Sequence, residues 1–144
     1  MIVVTTDHAA HDPEARAPIE GRRYWEVPAR ADALLQTVRA AGHALRPHGD
    51  HGLDPITRVH EAGYVRFLRD GFAQWQQEGG AGSALRPGAF AVRHLDRLPR
   101  SAVGQAGYYL ATLSAPLLAA TWQAAYDSAQ AAVDGADLIL RGER

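Results

Sequence analysis

Ile2-Val3-Val4-Thr5-Thr6, at the head of a 144-residue chain, sets the fold class together with the two segments that follow it. A short β-branched run of this kind suits a buried strand. A helix is expected from Pro28, which fits a first helical position. Ala31, Leu34, Leu35, Val38 and Ala41 mark one helical face, and Gly42 stands where a C′ residue belongs. Residues 43–46 then read as a second strand. Strand, helix and strand in this order favour an α/β architecture with a parallel sheet.

Outward from that unit, residues 7–23 carry Pro13, Pro18 and Gly21 without any period and read as a long loop. Loops of that length in compact domains commonly carry function. Pro47-His48-Gly49-Asp50-His51-Gly52 reads as a second loop, and Asp54-Pro55 as the cap and first residue of a short helix through His60. Residues 62–78 hold the strongest periodicity, with Tyr64, Phe67, Leu68, Gly71, Phe72 and Trp75 on one stripe. Aromatics at helical spacing are packing residues. Gly79-Gly80 stops this helix, and residues 79–104 read as irregular. A last helix is expected from about residue 120. Trp122, Ala125, Tyr126, Ala129, Ala132 and Val133 form its expected buried face; Gly135 is a candidate break, and residues 136–140 either extend the helix or lead toward a strand. Two credible strands are too few for a doubly wound sheet, so the expectation is part of a larger domain.

With 47% hydrophobic and 22% charged residues, the chain is neither disordered nor fibrous. A net charge of −1 argues against nucleic acid as a partner, which would need a basic excess. All 15 basic residues are arginines, and Arg22-Arg23 with Arg93, Arg97 and Arg100 are read as solvated faces. Absence of cysteine removes disulfides, thiolate metal sites and a cysteine nucleophile. The apolar stretch 108–122 is too short for a bilayer, and the first residues lack a signal-peptide pattern. A soluble cytoplasmic protein without a membrane partner is expected.

Seven histidines invite a metal reading. His8-x-x-His11, with Asp7 and Asp12, offers four ligands on a proline-containing loop, and His48-x-x-His51 with Asp50 sits between glycines. Neither segment has the supporting element that a zinc site needs, so loop packing is the preferred reading for both. His60 reads as a capping or packing residue. Ser101 and Ser114 lack a nucleophile elbow, and Gly79-Gly80-Ala81-Gly82 lacks the strand and Gly-Lys-Ser/Thr of a phosphate loop.

Taken as an ordered set, several blocks carry a resemblance. They are Asp7-His8, Trp25-Glu26-Val27-Pro28, Val59-His60-Glu61-Ala62-Gly63-Tyr64-Val65-Arg66-Phe67-Leu68, Gly104-Gln105-Ala106-Gly107-Tyr108-Tyr109, Thr121-Trp122-Gln123-Ala124-Ala125 and Ala132-Val133-Asp134-Gly135-Ala136-Asp137. The set resembles the N-terminal part of the histone deacetylase and acetylpolyamine amidohydrolase family, on its bacterial side.

That resemblance implies a partial three-layer α/β/α fold of the arginase–deacetylase type. It also implies zinc-assisted hydrolysis of N-acetylated amines, of acetyl-lysine or acetylpolyamine type, by the complete domain. The family's Asp-x-His ligand pair, His-His dyad and Pro-Gly-His-His block do not occur in these residues. Residues 1–144 are therefore expected to be the N-terminal portion of a single deacetylase-like domain, with no catalytic residue, no zinc of its own and no activity alone. Glu20 and Tyr108 are the candidate substrate-rim residues. The expected partner is the missing C-terminal half or a second copy. The alternative is a non-catalytic interaction module built on the same scaffold. Residues 111–116 carry no carboxylate where relatives place one, which argues against a strict preference for cationic polyamines. Residues 79–104 resemble an insertion that helps some relatives dimerise.

Overall fold

Strand β1 (Ile2–Thr5) pairs in parallel with β2 (Ala44–Pro47), Ile2 opposite Ala44 and Thr5 opposite Pro47. The computed structural model describes residues 2–21, 23–91 and 97–143; Arg22 and Arg93 lie outside the described residues. Between the strands run α1 (Pro13–Arg16) and α2 (Pro28–Ala40), so the expected strand–helix–strand unit forms. The α1 turn falls within the stretch expected to be loop. It forms because the Asp12 carboxylate accepts the Ala15 amide at 3.0 Å and Pro13 presets the first helical φ. Helix α2 ends at Gly42, whose φ of +73° suits glycine. Its expected apolar face is half-buried at Ala31, Leu35 and Val38, while Leu34 is exposed.

Four helices follow: α3 (Asp54–Thr57), α4 (Ala62–Gln77), α5 (Ala102–Tyr109) and α6 (Thr121–Leu140). The core lies between α4 and α5, away from the sheet. Phe67, Leu85, Ala102, Ala106 and Leu117 are buried at its centre, ringed by Tyr64, Leu68, Phe72, Trp75, Tyr109 and Leu110. The α4 stripe therefore packs as its period requires. Leu85 and Leu117, from segments without regular structure, exchange backbone hydrogen bonds of 2.8 and 3.0 Å across an isolated antiparallel bridge. Tyr109 stacks on Phe67 with centroids 5.3 Å apart.

Three expectations need correction. Asp54 is the first helical residue of α3, and Leu53 occupies its N-cap position. Helix α5 was not expected, because its two glycines hide the period. Ser101 caps it by accepting the Gly104 amide, and Glu78 accepts the Ala102 amide at 2.9 Å. Helix α6 runs through Gly135 without a break, and it buries Asp127, Gln130, Asp134 and Leu138. Trp122, Tyr126, Ala129 and Val133 are only half-buried, and Ala125 and Ala132 are exposed. Among the described residues, no helix is long and apolar enough to cross a membrane.

Gly107 is fixed by a close approach. A β-carbon there would overlap the Ala89 carbonyl oxygen, and the Gly107 carbonyl accepts the Ala91 amide at 2.7 Å. Gly135 has no neighbour within 4 Å of such a carbon. Gly107→Ala is therefore expected to destabilise the chain by about 1–3 kcal/mol. Gly135→Ala, mid-helix and unobstructed, is expected to stabilise it by up to about 1 kcal/mol. Urea denaturation of both variants checks the opposite signs.

Candidate functional site

Gln123, Asp127, Gln130 and Asp134 recur along α6 at steps of four, three and four, which places them on one stripe of the helix. Loop 48–52, which leaves β2, lies against this stripe. Asp134 accepts the Gly49 amide on Oδ2 and meets His51 Nε2 at 2.7 Å on Oδ1. Gln130 accepts the His51 amide at 2.6 Å and donates to the Gly52 carbonyl at 3.1 Å. Asp127 lies 3.5 Å from His48 Nε2 and accepts from Gln123 at 2.7 Å. His48 Nδ1 donates to the Gly49 carbonyl at 2.8 Å. Tyr126 donates to Asp50, which also accepts the Gly52 amide at 2.9 Å.

The stripe thus satisfies backbone groups that a half-buried loop cannot leave unpaired. The Gly49 amide, and secondarily the His51 imidazole, hold the Asp134 carboxyl below the usual carboxylate range. The Tyr126 hydroxyl and the Gly52 amide do the same for Asp50, and that contact raises the Tyr126 hydroxyl in turn.

A histidine held by a carboxylate can act as a base only beside substrate space and an oxyanion donor. Neither imidazole lines the clefts beside α2, α4 or β1. Both Asp134 oxygens are committed to the loop. Among the described residues, no three His, Asp or Glu groups are placed to hold a metal ion. These side chains do not fit zinc. What the arrangement does is latch the loop after β2 onto α6.

The residues of the N-terminal cluster make separate contacts, and His8 and His11 line one cleft beside α2. His8 contacts Asp32 at 3.3 Å, Asp7 accepts the Ala9 amide, and Asp12 caps α1. His11 contacts the Thr121 hydroxyl at 3.3 Å, and burial holds its imidazole below the ordinary value. His60 packs on Tyr64, with ring centroids 5.7 Å apart. Ser101 is a helix cap, and Gly79, at φ +88°, is a helix stop. Glu20 is exposed in the connection between α1 and α2. Tyr108 is 37% exposed and stands edge-on to Tyr109, centroids 4.9 Å apart. Burial, and secondarily Glu61, raise the Tyr109 hydroxyl.

A second tie gave no signal in sequence. The buried Tyr24 hydroxyl donates to the Ala17 carbonyl at 2.9 Å, and Arg86 donates to that carbonyl at 2.6 Å and to the hydroxyl at 2.9 Å. Ser83 donates to the Arg16 carbonyl. Arg16, Ala17 and Tyr24 are thereby pinned to Ser83 and Arg86.

Acetylpolyamine amidohydrolase 1 of Pseudomonas aeruginosa is 34% identical over 151 aligned residues, covering 100% of this chain and 43% of the relative. The acetylpolyamine amidohydrolase of Mycoplana ramosa is 37% identical, covering 83% of this chain and 36% of that protein. The crystal structure of acetylpolyamine aminohydrolase from Burkholderia pseudomallei superposes with a TM-score of 0.85 at 32% identity, over 99% of this chain and 42% of that one. The chain belongs to the acetylpolyamine amidohydrolase and histone deacetylase-like family. Its mixed α/β topology is the arginase–deacetylase type seen in that structure. It spans about two fifths of the length of these family members. No family model matches it.

The latch has an acid signature. Because the folded state lowers the Asp134 pKa, its contribution is full above the ordinary value of 3.8 and is lost as pH falls through the lower folded value. Asp134→Asn keeps one acceptor and sets an amide donor against the Gly49 or His51 donor. This variant is expected to melt several degrees lower at pH 7 and to show a flatter acid limb between about pH 2 and 5. Thermal denaturation across that range checks it; superimposable acid limbs would contradict the latch.

Proposed function

We infer that residues 1–144 supply the N-terminal scaffold of a zinc-dependent deacetylase or amidohydrolase domain acting on N-acetylated amines. The observation that carries this reading is the superposition of 99% of the chain on 42% of an acetylpolyamine aminohydrolase structure. The engagement of His48 and His51 by α6 carboxylates and the commitment of Asp134 to loop 48–52 support a scaffold role over a catalytic one. Zinc, when present in the complete domain, supplies carbonyl polarisation and an activated water. Its ligands come from outside these residues. Within them, Glu20 and Tyr108 are the proposed rim positions, and the partner is the remaining portion of such a domain.

A chimera tests this reading. Residues 1–144 replace the matched region of the Burkholderia pseudomallei protein, and hydrolysis of acetylated amines is measured with zinc supplied. The chimera is expected to be active, with a weaker preference for cationic over neutral amines than its parent, since residues 111–116 bring no carboxylate. The 144-residue chain alone is expected to be inactive under the same conditions. A chimera that melts cooperatively yet hydrolyses nothing would overturn the reading, as would turnover by the chain alone.

A further inference from the structure

Between α1 and α2 the chain turns at Glu20-Gly21, with Gly21 at a φ of +71°. Ala17 and Tyr24, on either side of this turn, are buried, whereas Glu20 is exposed. The Tyr24 hydroxyl donates to the Ala17 carbonyl at 2.9 Å and so closes residues 17–24 into a loop whose ends meet. Arg86 docks that closed loop. Its Nη2 donates to the Ala17 carbonyl at 2.6 Å and to the Tyr24 hydroxyl at 2.9 Å. The base of this contact is fixed, because Leu85, next in sequence, is fully buried and exchanges both backbone hydrogen bonds with Leu117.

Stability does not account for the guanidinium. Among the described residues, its buried Nε has no hydrogen-bond partner and no carboxylate pairs with it. An unpaired cation held away from water is costly, and an apolar side chain of like size is commonly tolerated in its place. Losing Arg86 would strand no bonded group either, since the Tyr24 hydroxyl would still serve the Ala17 carbonyl. What Arg86 supplies is a fixed position of the loop, and of Glu20 on it, relative to the core.

We propose that Arg86 and Tyr24 are positioning residues for substrate recognition, holding the 17–24 loop so that Glu20 meets the cationic end of an N-acetylated amine. Tyr24 closes the loop, and Arg86 sets where it stands. The inference rests on the proposed rim role of Glu20 and adds the two residues through which that role is exerted. Facing a cation, an exposed carboxylate changes binding about two- to fivefold, and holding it in place spares the ordering cost. The sign separates positioning from simple charge. Deleting a nearby cation would by itself favour a cationic substrate, whereas displacing Glu20 weakens its binding.

The test uses the chimera of residues 1–144 with the Burkholderia pseudomallei protein, and compares a monoacetylated diamine with a neutral N-acetylated alkylamine of equal length. Glu20→Gln, Arg86→Met and Tyr24→Phe are each expected to raise KM for the diamine about two- to fivefold with kcat unchanged, and to leave the neutral amine unaffected. The double variant Glu20→Gln/Arg86→Met is expected to be no worse than Glu20→Gln alone, because Arg86 acts through Glu20. In the 144-residue chain, NMR order parameters of the Glu20 and Gly21 amides are expected to fall from about 0.85 to below about 0.6 when Tyr24→Phe and Arg86→Met are combined. A lower KM for the diamine in Arg86→Met, additive losses in the double variant, equal losses on both substrates, or unchanged order parameters would each overturn the proposal and leave the proposed function standing. A parent chimera that folds but hydrolyses neither substrate would overturn the proposed function, and this inference with it.

Discussion

One carboxylate holds the sheet side of this chain together. Asp134 accepts from the Gly49 amide and the His51 ring at once, and so fixes the loop leaving β2 to the middle of α6. Helix α6 also packs on β1, and β1 pairs with β2. The result is a closed circuit of strand, strand, loop and helix. Without the latch, the second strand would be held by one parallel neighbour alone, and such a pair is marginal in water.

The molecule separates its two kinds of cohesion. Aromatic and aliphatic packing is concentrated between α4 and α5, where Phe67, Leu85 and Leu117 are nearly inaccessible. On the sheet side, buried polar residues on α6 do the binding, the apolar residues of β1 are only half-buried, and Ile139 and Leu140 at the α6 C-terminus are exposed. A self-sufficient α/β unit would reverse that arrangement, with its sheet inside. The arrangement supports the scaffold role proposed above.

Much of the fold was legible in the sequence where a single period dominates. The β-branched opening, the α2 stop at Gly42 and the aromatic stripe of α4 all follow from local rules. The family was legible as well, from blocks of which four fall largely on α4, α5 and α6, while Asp7-His8 and Trp25-Glu26-Val27-Pro28 lie before α1 and at the start of α2. Helix α5 was hidden because Gly104 and Gly107 depress its propensity, while tertiary packing against Ala89 and Glu78 selects it. The face of α6 was misjudged for a different reason. Hydrophobicity marked Trp122 through Val133, but the buried stripe is polar because loop 48–52 brings its own donors. The spacing of Gln123, Asp127, Gln130 and Asp134 was visible; that they faced a loop was not. His48 and His51, read in sequence as loop residues, are each engaged by an α6 carboxylate, Asp127 and Asp134.

Native-state hydrogen exchange in graded denaturant tests the latch most directly. The Gly49 and His51 amides, bonded to Asp134 and Gln130, should open with the same free energy as the amides at the centre of α6. If those two exchange through cheap local openings while α6 stays protected, the loop is merely resting on the helix and the circuit described above does not exist.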